Sequence, residues 1–410
     1  MSTLPEVRGA ARVAERLGRL HPLRSPEFVA LASKLRYPLG VYALSRALYL
    51  LIALVDLFVR TGSAAGEVSN WDGKWYLLTV TYGYPQEILH TQTTLGFFPL
   101  YPIAMWIVGR PFHAAGLHLQ TSYIVAGVII SLVAGAIATV LIFRLAQRWW
   151  GEAASRRAIL FFCLFPGSIV FSMLYTEGLL LTLLAAAMLA IDRRRWLRAG
   201  VLAGLATAVG PVAVAIIPAF AVVALREIRR RGWRDPEARR ALIAPALAPV
   251  GLGCFALFLW IWTGSPLASY TTQGSTWGWQ ESTTPSAIPR QASTLIQEIG
   301  KFTWHHPGIN LNFVSGLIGT VFLFYALWRL WHWRSAVSLV ALVWTLGVAA
   351  LTLTSANTPP NPRMLLCAFP AVLVVGAEAE GRRQKRLLWF TLFLTIAMSM
   401  GSFVGSGLRP

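Results

Sequence analysis

Residues 241–262 read ALIAPALAPVGLGCFALFLWIW, a run without a single charged side chain. At 1.5 Å of rise per residue such a run covers the roughly 30 Å hydrocarbon core of a bilayer. A second run, LLWFTLFLTIAMSMGSFVG at 387–405, reads the same way. Backbone polar groups in lipid must be paired internally, so these runs are helices or strands of a closed barrel. Their length and their Leu, Ala and Val content, without polar alternation, exclude the barrel. Working outward, the whole chain fits this reading. Of 410 residues, 56% are hydrophobic and 13% charged, against the quarter or so charged in an ordinary soluble domain. Mean hydropathy is +0.57.

The formal net charge is +19. The basic residues lie in short clusters between apolar runs, as a positive-inside topology signal does. No zinc-finger spacing or aromatic–basic ladder accompanies them, which argues against nucleic acid as a partner. Cys163, Cys254 and Cys367 lie within or beside apolar runs and form no Cys-x-x-Cys pair, so they read as small core residues. The first 36 residues are polar and basic with no compact cleavable signal, so the first span reads as a retained anchor.

The expected fold is all-α: a polytopic membrane bundle of about eleven transmembrane helices. They fall near 37–59, 121–143, 158–174, 176–191, 199–209, 211–225, 241–262, 309–330, 336–353, 364–380 and 387–405. Arginine clusters decide the doubtful cases. Arg144, Arg148, Arg156 and Arg157 form one basic loop, and Arg193, Arg194, Arg195 and Arg198 the next. With both on the cytoplasmic side, 158–191 must cross twice, broken at Pro166-Gly167. The stretch 199–225 is broken likewise at Gly210-Pro211. Segment 97–108, with Pro99 and Pro102, reads as an interfacial or re-entrant piece. The expected organisation is a basic cytoplasmic segment at 1–36, one membrane domain at 37–405, and a short outside tail at 406–410. Outside loops at 60–120 and 263–308 exceed ordinary helix connections and are the places to look for function. No internal repeat is evident, which disfavours a transporter of duplicated halves.

The densest polar–aromatic cluster is Asn70-Trp71-Asp72-Gly73-Lys74-Trp75-Tyr76. Trp71, Trp75 and Tyr76 suit the headgroup region and need no further role than an aromatic belt. Asp72 could equally be a carboxylate held beside a bilayer-embedded substrate, accepting a proton from a sugar hydroxyl. Tyr82-Gly83-Tyr84-Pro85 and Phe97-Phe98-Pro99-Leu100-Tyr101-Pro102 argue for turns that pin the loop against the membrane. Tyr175-Thr176-Glu177 places a carboxylate between apolar runs, where it is either a functional acid or a helix-capping one. Asn357 and Arg363 flank Pro359-Pro360-Asn361-Pro362. A guanidinium there suits a phosphate, whether of a lipid carrier or of ordinary membrane lipid. Trp277-Gly278-Trp279-Gln280 lies in a Ser/Thr/Gln-rich loop fit for an acceptor. His305-His306 and Asp72-Gly73 lack the spacing of a metal site, so no metal and no cofactor are expected.

Taken in order, several motifs resemble one family. They are Trp71-Asp72-Gly73-x-Trp75-Tyr76 with Gly83-Tyr84-Pro85, Phe98-Pro99-Leu100-Tyr101-Pro102, and Phe165-Pro166 with Phe171-Ser172-x-x-Tyr175-Thr176-Glu177. Gly264-Ser265-Pro266-Leu267 with Trp277, and Pro362-Arg363 leading into Phe369-Pro370, follow. From about 38 to 405 the chain is similar to PIG-V-like mannosyltransferases, the bacterial relatives of GPI mannosyltransferase II. The resemblance implies a GT-C-like bundle with short interfacial helices in its outside loops, set in a bacterial plasma membrane with the N-terminus cytoplasmic. It implies inverting transfer of a sugar, mannose by analogy, from a polyprenyl-phosphate donor to an envelope glycolipid, glycan or protein. Asp72 becomes the general base; Trp71, Lys74, Trp75, Tyr76, Tyr175, Glu177, Trp277, Asn357 and Arg363 become donor or acceptor contacts. Gly210-Pro211 departs from the family, whose members often carry an arginine before that proline. The competing reading from the residues is a transporter or flippase of a lipid-linked sugar, which would tolerate loss of Asp72.

Overall fold

The computed structural model describes residues 26–59, 66, 68–89, 93–274, 293, 296–297, 311–355 and 360–403. Trp277, Asn357, His305 and His306 lie outside the described residues, as do most of segment 1–36, most of loop 263–308 and tail 406–410.

The chain is helical throughout the described residues. In order, α1 is Pro26–Val59, α2 Asp72–Tyr82, α3 Leu100–Ala114, α4 Leu119–Leu164, α5 Glu177–Asp192, α6 Trp196–Thr207 and α7 Ile216–Arg231. Then come α8 Val250–Thr263, α9 Leu311–His332, α10 Leu339–Leu353, α11 Pro362–Cys367, α12 Phe369–Glu378 and α13 Gly381–Phe403. The short helices Pro236–Arg240 and Ile243–Leu247 lead into α8. Proline opens the 3-10 turns Pro166–Ser172 and Pro211–Ala215, because its fixed φ and missing N–H suit a helix start and not an interior. α4 bends at Gly151, whose φ of 76° a residue with a Cβ rarely adopts.

Five helical stretches are long and apolar enough to cross a bilayer among the described residues: Leu35–Val55, Leu119–Leu164, Pro211–Arg231, Pro236–Thr263 and Val314–His332. A sixth is reached if Pro166–Ser172 and Glu177–Asp192, bent by 103° to one another, count as one broken span. The expectation of about eleven spans is therefore corrected. Apolar stretches do fold as helices near the expected places, but many are short. The 16 residues of α5 rise roughly 24 Å and the 12 of α6 roughly 18 Å, less than the hydrocarbon core. Hydropathy counts apolar residues and does not see where proline and glycine cut a run. Segment 97–108 lies mostly in α3, 15 residues long, which buries Tyr101 and Met105.

The core runs along α1, α4, α5, α6, α7, α10 and α12, with Tyr49, Phe162, Phe171, Tyr175, Trp344 and Phe369 fully buried. Trp344 donates its Nε1 to the Cys367 carbonyl at 3.0 Å, so its one polar atom is satisfied. Large apolar side chains also point outward, Phe58, Ile261, Trp389 and Phe393 among them. Apolar residues on both faces mark a bundle solvated by lipid, held by close packing and hydrogen bonds rather than by escape from water. Cys163 and Cys367 are buried as expected, whereas Cys254 is exposed on α8. An apolar solvent leaves no reason for a small residue to face inward.

Candidate functional site

Three distant segments meet at one point, each at the start of a helix. The first is the start of α2. Trp71 sits at φ 57°, ψ −121°, a conformation costly for a side chain of its size, and turns the chain so that Asp72 begins the helix. Its carboxylate thereby complements the positive helix end. Just before, the Val68 carbonyl accepts from the Leu174 amide at 2.9 Å and ties this segment to the approach to α5.

The second segment is Met173–Glu177. Tyr175 is buried with its hydroxyl directed to the Asn70 carbonyl at 3.5 Å. Glu177 is the first residue of α5 and is buried, with Oε2 lacking a hydrogen-bond partner among the described residues. The third segment is the start of α11. The Asn361 side chain accepts from the Met364 amide at 2.9 Å and Pro362 occupies the first turn. That cap sets the direction of Arg363. Gly167 supports it from the other side, for a Cβ there would lie 2.2 Å from the Pro362 carbonyl oxygen.

Arg363 is the hub. Its Nη1 donates to Asp72 Oδ2 in a close ion pair, its Nε faces Glu177 Oε1 at 3.4 Å, and its guanidinium lies over the Tyr175 ring at 5.2 Å. Side-chain exposure runs from 10% for Glu177 through 20% for Arg363 to 33% for Asp72. Glu177 is thus the floor and Asp72 the mouth. Burial works against the charge of Arg363, but Asp72 and Glu177 outweigh it and raise its pKa well above the ordinary value. Burial raises the pKa of the Tyr175 and Tyr76 hydroxyls, and the Asp72 charge raises both further. Both phenols stay neutral, available as hydrogen-bond donors and not as bases. The converging acids, Asp72 and Glu177, both face this one cation.

Of the residues expected at a site, Asp72, Tyr175, Glu177 and Arg363 come together. Trp71 is half-buried at the edge, packed against the main core. Trp75 and Tyr76 also pack a helix contact, with Tyr76 near enough to the site for the Asp72 charge to act on its hydroxyl. Trp75 stacks on Phe97 at 5.8 Å, and Tyr76 meets Phe97 and Tyr101 edge-on at 5.1 and 5.2 Å. They form a second aromatic core that seats α2 on α3, because a helix lying on another buries one face whatever its neighbours do. Lys74 is exposed.

Arg46 is the residue that sequence reading passed over. It lies within the first span, and its guanidinium donates to the Ser168 carbonyl at 2.6 Å, Ser172 Oγ at 3.0 Å and Ser168 Oγ at 3.0 Å. Tyr42, Tyr49 and Phe171 surround it with ring faces at 5.0, 4.6 and 5.5 Å. It holds the Pro166–Ser172 turn, hence Gly167 and the seat of Arg363. A charge inside an apolar run was the available signal.

The family described as "Mannosyltransferase (PIG-V)" matches residues 49–228, a stretch that contains Asp72, Tyr175 and Glu177 and ends before Arg363. Over that stretch the chain is similar to this family. It is 30% identical over 115 residues to GPI mannosyltransferase 2 of Drosophila melanogaster, covering 27% of this chain and 24% of that one. To GPI mannosyltransferase 2 of Drosophila pseudoobscura pseudoobscura it is 32% identical over 117 residues, covering 26% and 24%. The chain thus matches about a quarter of the length of these curated relatives. Among solved structures it is similar to the archaeal oligosaccharyltransferase of Archaeoglobus fulgidus in complex with an inhibitory peptide and a dolichol-phosphate. There the TM-score is 0.46 at 12% identity, covering 87% of this chain and 56% of that one. The same enzyme tethered with an acceptor peptide gives 0.44 at 12% identity, covering 90% and 56%.

Proposed function

We propose that this protein is a multi-pass membrane glycosyltransferase that moves a sugar, mannose by family analogy, from a polyprenyl-phosphate donor to a cell-envelope glycolipid, glycan or protein. The observation that carries the proposal is the contact between Asp72 and Arg363: a carboxylate able to take a proton lies one hydrogen bond from a cation able to hold phosphate. Asp72 accepts the proton of the acceptor hydroxyl as that oxygen attacks the anomeric carbon. The carbon–oxygen bond to phosphate breaks on the opposite face, its electron pair leaves with the polyprenyl phosphate, and the configuration inverts. Arg363 receives the phosphate charge and Glu177 anchors Arg363 from below. Tyr175 stacks beneath the guanidinium, while Trp71 and the exposed Lys74 border the mouth where the donor enters.

Phosphate brings more negative charge to a site that already holds two carboxylates and one guanidinium. Arg363 must therefore exchange Asp72 for phosphate when the donor binds, which frees the base as the substrate arrives. The clustering of basic residues at the other end of the bundle supports a cytoplasmic N-terminus, with the site outside a bacterial plasma membrane.

The test uses the full chain reconstituted in lipid, radiolabelled mannosyl-phosphoryl-polyprenol and a membrane glycolipid extract, with the parent beside Asp72→Asn. Label moved to a new acceptor by the parent, and reduced about 10²-fold or more in the variant, is the expected result. Equal transfer by both removes Asp72 as the base. Donor binding without transfer by either, with label crossing the bilayer, replaces this reading with a flippase.

A further inference from the structure

At the far end of the bundle from Arg363, one face of α1 and the second limb of α4 border an open cleft of about 410 Å³ lined by Arg36, Tyr37, Gly40, Val41, Leu44 and Arg156. Positions 36, 40 and 44 follow helical spacing, so Arg36, Gly40 and Leu44 form a single stripe on α1. Gly40 makes the hollow: a Cβ added there would meet nothing within 4 Å. Arg36 makes no ion pair or hydrogen bond with a described residue. Arg156 gives Nε to Glu152 at 2.7 Å, and no described residue accepts from its terminal NH2 groups. Its guanidinium is nonetheless set in place, 4.9 Å over the Tyr37 ring, while the Tyr37 hydroxyl donates to the Arg156 carbonyl at 3.0 Å. The cleft therefore presents two guanidiniums with donors unspent, Arg156 sharing its Nε with the Glu152 carboxylate and Arg36 paired with no described residue.

We propose that this cleft binds the phosphate of an anionic membrane phospholipid. Glu152 offsets one of the two positive charges and leaves the other for an anion, and the planar fork of arginine matches phosphate oxygens. The occupant is a lipid and not a free anion because the lower wall is Val41 and Leu44. From there the stripe continues along the first span through Leu51, which like Leu44 is exposed. Arg36 marks the end of that span, the height at which lipid phosphates lie, and the acyl chains follow the apolar stripe into the bilayer. This site shares no residue with the catalytic proposal and stands without it.

The experiment titrates the delipidated full chain, in a neutral detergent, with phosphatidylglycerol, phosphatidylcholine or inorganic phosphate, and counts bound molecules by native mass spectrometry. The expected result is one saturable phosphatidylglycerol, held about tenfold tighter than phosphatidylcholine. Arg36→Gln and Gly40→Leu should each lower that affinity about tenfold, the first by removing a donor and the second by filling the hollow with both arginines intact. Neither residue makes a contact that the fold needs. Arg230→Gln, an exposed arginine outside the cleft, should leave binding unchanged. Equal binding of both lipids, no effect of Gly40→Leu, or an equal loss in Arg230→Gln overturns the site in favour of a general basic surface. Inorganic phosphate binding as tightly as the lipid overturns the choice of occupant.

Discussion

Arg363 and Asp72 are separated by 291 positions of sequence and joined by a close ion pair, with Glu177 on the guanidinium's other edge. One cation thus serves two carboxylates, of which the deeper has an oxygen without a hydrogen-bond partner among the described residues. Only a forked, permanently charged side chain can span both at once.

Arg363→Lys keeps the charge and loses the fork. Transfer should fall about 10²-fold, with donor KM raised, because an ammonium cannot hold phosphate and Glu177 together. Arg363→Ala should also cost about 3 kcal/mol of stability, since it strands Glu177 uncompensated. Unfolding in lipid discs and steady-state transfer measure the two losses separately; a lysine variant with parental kinetics would remove Arg363 from the phosphate.

Glu177→Gln preserves shape while removing the lower charge. Arg363 is then held by Asp72 alone, and the expected change is a rise in donor KM of about tenfold with a smaller fall in kcat. Comparing kcat and KM with those of Asp72→Asn checks the roles. If Glu177→Gln loses as much kcat as Asp72→Asn, the two carboxylates share the proton and Asp72 is not the sole base.

Gly167→Ala places a methyl group where the Pro362 carbonyl already lies, 2.2 Å from the Cβ position. The turn and α11 must separate, costing about 1–3 kcal/mol and moving Arg363 from its carboxylates. Thermal unfolding and transfer should fall together although no group with a chemical role has changed. Unchanged stability would show that the two segments are not in contact.

Arg46→Met removes the guanidinium that holds Ser168 and Ser172. Losing hydrogen bonds to a charged group should cost about 2 kcal/mol or more. Arg46→Lys should restore part of it, having three donors instead of five. Transfer should track the loss in unfolding temperature, since the turn positions Arg363 without touching the substrate. A stable but inactive Arg46→Met would instead place Arg46 in contact with the donor.

The residues of the site were visible one at a time. Asp72 stood in an unusually polar aromatic cluster, Glu177 between apolar runs, and Arg363 against the charge rule at the head of a helix. Each had a bland reading beside its functional one, a solvated acid, a helix cap or a lipid anchor, because isolated residues carry no information about partners. Trp75 and Tyr76 show a second role that is not legible locally: aromatics beside a carboxylate read as pocket walls, and they also seat one helix on another. Arg46 went unused because its acceptors, a carbonyl and two hydroxyls, are residues that composition does not mark.

What the amino-acid string determines here is the solvent of the chain and the nature of its elements. Apolar content is a local sum, and in lipid it leaves a helix as the single way to satisfy the backbone. Three further matters depend on packing: how many of those helices span, which acids share a cation, and which aromatics are scaffold. Span number depends on where proline and glycine end each helix and how far the pieces bend, as between Pro166–Ser172 and Glu177–Asp192. The site depends on three helix starts arriving at one point, drawn together by a guanidinium that no stretch of sequence shorter than most of the chain contains with both its partners.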